Sequence, residues 1–252
     1  MRILVTNDDG IHAPGIAVLE RIARALSDDV WVVAPADEQS GAGHSLSLVS
    51  PIRIQQFAPQ RFAVRGTPTD AVMMALGHIV PPPKPTLVLS GVNRGVNLAE
   101  DVTYSGTVSA AIEATLAGVP AIALSQETAE RAVGEEAFET AQAQAPRLIR
   151  ALLAQGWPEG VLININFPMG PALGVRVTEQ GLRDHRRLEV VERTDVRGFR
   201  YYWFGLGRDF LETGPASDLR AVSEGYVSVT PLQLNLTHRA QMAALATVLN
   251  RG

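Results

Sequence analysis

The sequence predicts an α/β protein, a mostly parallel sheet flanked by helices on both faces, with a β-rich extension towards the C-terminus. Three observations point there. Short β-branched runs alternate with stretches of helical spacing. Those runs are apolar almost throughout, as strands covered on both faces are. The polar, glycine-bearing stretches fall directly after the strands, at the edge where open α/β sheets bind ligands.

Along the chain, "RILVT" (Arg2 to Thr6) reads as the first strand, and "PGIAVLERIARAL" (Pro14 to Leu26) as a helix whose proline suits its first turn. "VWVVAP" (Val30 to Pro35) is a second buried strand. "SLSLVS", "IRIQQF" and "RFAVRG" follow as short strands around turns, a hairpin insertion. "PTDAVMMALGHI" is a helix entered by a cap at Thr67, with Pro68 first and Asp70 third, so Asp70 is spent on the helix rather than on a site. "TLVLSG" is a third core strand, "SGTVSAAIEATLAG" a helix ended by Gly118, and "VPAIALS" a fourth strand. A helix over 134–155 and the strand "VLININF" complete the alternation. Beyond it, "GVRVTEQ", "FRYYWFG" and "GYVSVTPL" look antiparallel, and "THRAQMAALATVLN" closes as a helix. The expected division is a core over 1–168, a β-rich extension over 169–235 and a C-terminal helical segment over 236–252.

Composition removes whole classes of function. Hydrophobic residues make up 46% and charged residues 19%, the mix of a compact fold rather than a disordered one. The absence of cysteine rules out disulfides, thiolate metal sites and cysteine nucleophiles, so any metal must use oxygen or histidine. A net charge of −4 argues against binding a nucleic-acid duplex, which needs a basic surface. No stretch is long and apolar enough to span a bilayer, and the N-terminus carries no basic-then-apolar leader, so a cytoplasmic protein without a membrane partner is expected.

The candidate chemistry begins at "NDDG". Adjacent side chains on a strand point to opposite faces, so Asp8 and Asp9 can share a site only because Gly10 ends the strand. Two close carboxylates repel unless a cation lies between them, which a hard ion such as Mg²⁺ or Mn²⁺ would do. A plain turn with a capping aspartate is the alternative, and two further loops weigh against it. "ADEQSGAGHSLS" brings Ser40 and Gly41, and "SGVNRGVN" brings Asn93 and Asn97. Neutral oxygens from Ser40 and Asn93 would complete a site with Asp8 and Asp9, one metal ion per subunit. In "YSGTVSAAIEAT", Ser105 stands at an N-cap, and the amides of Gly106 and Thr107 open a helix whose dipole favours an anion. Together with Asn7, Gly41 and Asn97, these form a candidate phosphate cradle. Plain capping is the competing account.

Other motifs fall short. "GHSLS" approaches a nucleophile elbow at Ser45 but lacks its last glycine and its flanking strand and helix. The five histidines, His12, His44, His78, His185 and His238, fit no zinc spacing, and of these His44 is the one site candidate.

Taken together, "NDDGIHAPGI", "SGAGHSLSL", "GTPTDAV", "SGVNRGVN", "YSGTVSAAIEA" and "GYVSVTPL" resemble the SurE family of nucleotidases, in order from Met1 to about Thr237. The resemblance implies a Rossmann-like core and a metal-dependent phosphomonoesterase acting on nucleoside 5′- and 3′-monophosphates. The family's metal ligands fall on Asp8, Asp9, Ser40 and Asn93. Asp8 and Asp9 are taken as the catalytic pair, with Asp8 as base or nucleophile, two roles the sequence does not separate. A β-rich extension that exchanges between subunits implies a homodimer or homotetramer. Ala99 and Glu100 stand where family members often have glycine and aspartate, and Asn235 where aspartate is usual. The rival readings are a nucleotide- and metal-binding regulatory module without turnover, and an interaction protein using "FRYYWFG" as its contact surface.

Overall fold

The computed structural model describes residues 1–129, 134–183, 189–205 and 214–250. Its elements, in chain order, are β1 (Arg2–Thr6), α1 (Pro14–Arg24), β2 (Asp29–Pro35), β3 (Arg53–Ala58), β4 (Arg61–Arg65), α2 (Pro68–Met74), β5 (Leu87–Arg94) and α3 (Gly106–Leu116). They continue with β6 (Ala121–Gln126), α4 (Glu139–Gln155), β7 (Val161–Phe167), β8 (Val175–Val177), β9 (Glu189–Thr194), β10 (Arg200–Gly205), α5 (Asp218–Ser223), β11 (Val227–Gln233) and α6 (Arg239–Leu249).

Among the described residues one nine-stranded sheet runs β3-β4-β2-β1-β5-β6-β7-β11-β8. From β4 to β7 the neighbours pair in parallel. β1 sends the chain one way to β2, whereas β5 lies on its other flank, so the strand order reverses between β1 and β5. A crevice opens at such a point, past the carboxyl ends of the strands. Asp8 and Asp9 follow β1, and Asn93 lies at the end of β5, one residue before its last.

The two faces bury separate cores. Ile3, Val5, Leu89 and Leu124 pack beneath α1 and α4, while Leu4, Val88 and Ala123 pack beneath α2 and α3. The period of two along each strand assigns these faces. It also exposes an unusual connection. The chain steps the same way across the sheet from β5 to β6 and from β6 to β7, yet α3 covers one face and α4 the other. The β6–α4–β7 crossover therefore has the opposite hand from β5–α3–β6, against the strong general preference for one hand. It brings α4 and the short turn before it, Glu135–Phe138, onto α1, where Phe138 is fully buried.

Several elements differ from expectation. No strand forms at "SLSLVS": Leu48 and Val49 are exposed, and Ser47 turns inward to bond Asp70, so the alternation has no sheet to lie on. The helix at Pro68 leaves α-geometry after Met74 and widens into a single turn over Ala75–Ile79. The strand β9 and the short helix α5 have no counterpart in the sequence reading. Of the segment 169–235, β11 pairs antiparallel to β7 and β8 pairs parallel to β11, both within the main sheet. The hairpin β9–β10 alone stands as a separate two-stranded sheet.

Candidate active site at the sheet's switch point

The first turn after β1 is built by Asn7. Its side-chain amide donates to Gly10 O at 2.9 Å and its carbonyl accepts from Gly10 N at 3.2 Å. The residue is fully buried and its amide is occupied, so it shapes the turn that presents the two aspartates. Asp8 then points towards α3. Its carboxylate accepts from the hydroxyl of Thr107 and from that residue's backbone N–H. Gly106 makes this approach possible, because a Cβ there would lie 2.7 Å from the Asp8 Cβ. Ser105 caps α3 by accepting from Val108 N at 3.1 Å, and its own hydroxyl sits buried at the cradle.

Asp9 lies towards α1 and accepts from Arg94 N at 3.4 Å. The loop after β2 closes over the pair through Gln39 N, which donates to Asp8 O at 2.8 Å. It is joined to the cradle where Gly43 N donates to Tyr104 O at 3.2 Å. Ser40, exposed on this loop, donates to Glu38 Oε1 at 2.9 Å, and Gly41 lies in open space beside it. Asn93 donates through Nδ2 to Gly95 O at 2.7 Å, which leaves its carbonyl oxygen available.

The electrostatics are strongly negative. Burial, first, pushes the Asp8 carboxyl above its ordinary range, partly offset by the Thr107 hydrogen bonds, and the Glu38 charge adds to the rise. Burial and the neighbouring Asp8 charge push Asp9 up to about 6, with the Arg94 guanidinium acting in the opposite sense. Asp9 and Glu38 thus share the neighbourhood of one guanidinium, that of Arg94. Among the described residues no three His, Cys, Asp or Glu side chains gather into a metal group. A cation site here must add the neutral oxygens of Ser40 and Asn93 to the aspartates. That all-oxygen set, with free lone pairs on both neutral residues, fits a hard divalent ion.

Asn97 is buried and held from the sheet: its N–H donates to Asn166 Oδ1 at 2.8 Å and its Nδ2 to Ser125 Oγ at 2.8 Å. Its carbonyl accepts from Asn164 Nδ2 at 2.9 Å and Asn166 Nδ2 at 3.1 Å. Its side-chain amide is therefore turned to β6. The rest of this loop is tied to the C-terminal segment, Ala99 N donating to Asp218 Oδ2 at 2.8 Å.

The remaining candidates separate cleanly. Ser45 lies exposed in an irregular loop, its carbonyl accepting from Thr67 Oγ1 at 2.7 Å, with no flanking strand or helix to make an elbow. His44 pairs at 3.1 Å with Glu113 on α3 at the surface. His185 lies outside the described residues. Sequence reasoning missed Glu38, Arg94, Asn164 and Asn166. Two asparagines alternating within the apolar run "VLININF" were a readable sign of a buried polar face, and Arg94 sits between two residues already singled out.

A model of the family described as survival protein SurE matches residues 3–187. The chain is 53% identical over 251 residues to a protein of Azorhizobium caulinodans named 5′-nucleotidase SurE, covering 98% of each. It is 56% identical over 256 residues to a protein of the same name from Brucella suis, covering 99% of this chain and 98% of the other. Its fold matches the crystal structure of SurE protein from Aquifex aeolicus with a TM-score of 0.84 at 36% identity, across 98% of this chain and 99% of that one. Matched in sequence over nearly its whole length and in fold over the same span, the chain belongs to the survival protein SurE family.

Proposed function

We propose that this protein is a metal-dependent 5′-nucleotidase that hydrolyses nucleoside 5′-monophosphates, and their 3′ isomers, to nucleoside and inorganic phosphate. The observation that carries the reading is the meeting of Asp8 with the N-terminus of α3, with Asp9 next to it on the α1 side, at the switch point between β1 and β5. Asp8, Asp9, Ser40 and Asn93 would hold Mg²⁺ or Mn²⁺, one ion per subunit. When bound, the ion supplies charge neutralisation for the phosphoryl oxygens and for the two aspartates.

The chain's own groups do the rest. The hydroxyl of Ser105 and the amides of Gly106 and Gly41 meet the phosphoryl oxygens at the positive end of the α3 dipole. Thr107 fixes the rotation of the Asp8 carboxylate. Asp8 takes the proton of the attacking water as its oxygen bonds to phosphorus, and the ester P–O bond breaks with its electron pair on the nucleoside oxygen, which takes up a proton from solvent. Asn7 and Asn97 support this arrangement by shaping the turn at Gly10 and the loop into α3. Both groups of contacts recognise the phosphoryl end, so purine and pyrimidine monophosphates are all substrates. A diester, with one negative charge fewer, is a poor one. A cytoplasmic location belongs to the same proposal, since nucleoside monophosphates arise there.

Phosphate release across the eight common 5′- and 3′-monophosphates and one cyclic diester tests the reading. Turnover of monoesters that stops on exhaustive chelation and returns with Mg²⁺ or Mn²⁺ is expected. Full activity in the chelated protein, or cleavage of the diester alone, would refute it.

A further inference from the structure

On the side of Asp9 away from α3 lies a cavity of about 210 Å³, lined by Asp9, Ala13, Pro14, Gly15, Glu38, Arg94 and Phe138. It is smaller than the roughly 300 Å³ at which pockets for drug-sized ligands begin, so it suits one part of a nucleotide. Its walls have two characters. The first turn of α1 and the Phe138 ring make an apolar side, and Gly15 is pressed so closely under β5 that a Cβ would fall 2.0 Å from Val92 O. Glu38 and Arg94 make a polar side. Arg94 is the one cationic residue of the lining and is exposed. Among the described residues its guanidinium makes no hydrogen bond or ion pair.

We propose that this cavity is the leaving-group pocket and that Arg94 is a specificity-determining residue, its guanidinium meeting the nucleoside of the substrate. The inference rests on the nucleotidase reading and deepens it. With the phosphoryl group held against the N-terminus of α3 beside Asp8, the adjacent Asp9 lines this cavity, so the remainder of the substrate has a pocket beside the carboxylates. A planar guanidinium suits that task, because it lies flat on a base and still donates hydrogen bonds at its edge. The larger cavity of about 490 Å³, beyond β6, is a worse match: Glu127, Glu136 and Glu139 line it without a cation and would repel an anionic substrate.

The test is Arg94→Ala, read in three ways on the metal-loaded protein: kcat and KM for AMP, inhibition by adenosine, and inhibition by inorganic phosphate. KM for AMP is expected to rise about tenfold, and inhibition by adenosine to weaken by a similar factor, the scale of one cation–aromatic contact. Inhibition by phosphate, kcat and the melting temperature should stay within about twofold or a degree of the parent protein. Equal weakening towards AMP and phosphate would put Arg94 on the phosphoryl group and overturn the proposal. So would an unchanged KM. Failure of the unsubstituted protein to release phosphate from AMP would strike the nucleotidase reading instead. Calorimetric binding of adenosine to both proteins would then still decide whether Arg94 lines a nucleoside pocket.

Discussion

Asp8 and Asp9 are adjacent in sequence and face different neighbours, and their roles divide accordingly. Asp8 is nearly buried and bonded by Thr107, so Asp8→Asn keeps the shape while removing the base. Phosphate release is expected to fall by about 10²–10⁴-fold, the usual worth of such a group, with an unchanged circular dichroism spectrum. Asp9, pushed up to about 6 by burial and then by the Asp8 charge, sets a pH dependence in the metal-free protein. A carboxyl whose folded value is raised favours the fold at low pH and loses that contribution as pH rises through the folded value. Metal-free protein should therefore lose melting temperature between about pH 4 and pH 6. Added Mn²⁺ should restore more of it at pH 7 than at pH 5, since the ion competes with protons for the same oxygens. Thermal melts with and without the ion check this, and an equal gain at both pH values would contradict it.

The elements hold the site by polar ties at their ends. Asp70 closes the capping box of α2 on Thr67 and also accepts from Ser47 N at 3.0 Å and Ser47 Oγ at 2.6 Å, pinning the loop after β2. Burial works to raise its carboxyl, and the Ser47 and Thr67 hydrogen bonds outweigh that and hold it below the usual range. Asp70→Ala should cost about 2–4 kcal/mol, one cap and two further hydrogen bonds at roughly 1 kcal/mol each. Denaturant unfolding reads the loss, while folded molecules keep their turnover because Asp70 does not touch the site. A loss under about 0.5 kcal/mol would show that Ser47 and the α2 cap are held by other means.

At the scale of the molecule, the C-terminal region is underpacked on its own. Among the described residues the hairpin β9–β10 pairs with no other strand, and Phe199, Tyr202 and Trp203 are 69%, 55% and 65% exposed on or beside it. Helix α6 buries none of its residues. A lone two-stranded hairpin is marginal in water, and this much aromatic surface calls for a covering partner. A second copy of the chain is the expected cover, so light scattering at micromolar concentration should report a dimer or tetramer of the 27.0 kDa chain. Trp203→Glu should shift that mass downwards. A monomer before any substitution would remove the hairpin and α6 from consideration as an interface.

The sequence by itself determined the alternation of β1 to β7 with α1 to α4, because buried parallel strands and helices carry different apolar periods. It also determined the local chemistry: a strand ended at Gly10, caps at Thr67 and Ser105, and two carboxylates needing a counter-charge. Each of these depends on residues a few positions apart. Only the tertiary structure decided that Asp8 meets Thr107, that Asn97 hangs from Asn164 and Asn166, and that β8 and β11 extend the main sheet rather than leave it. It alone decided the hand of the β6–α4–β7 crossover, which sets Phe138 against α1 and so walls the cavity beside Asp9. Such contacts join residues up to about a hundred positions apart. No local period records them, and they are fixed when two faces of one sheet must both be covered.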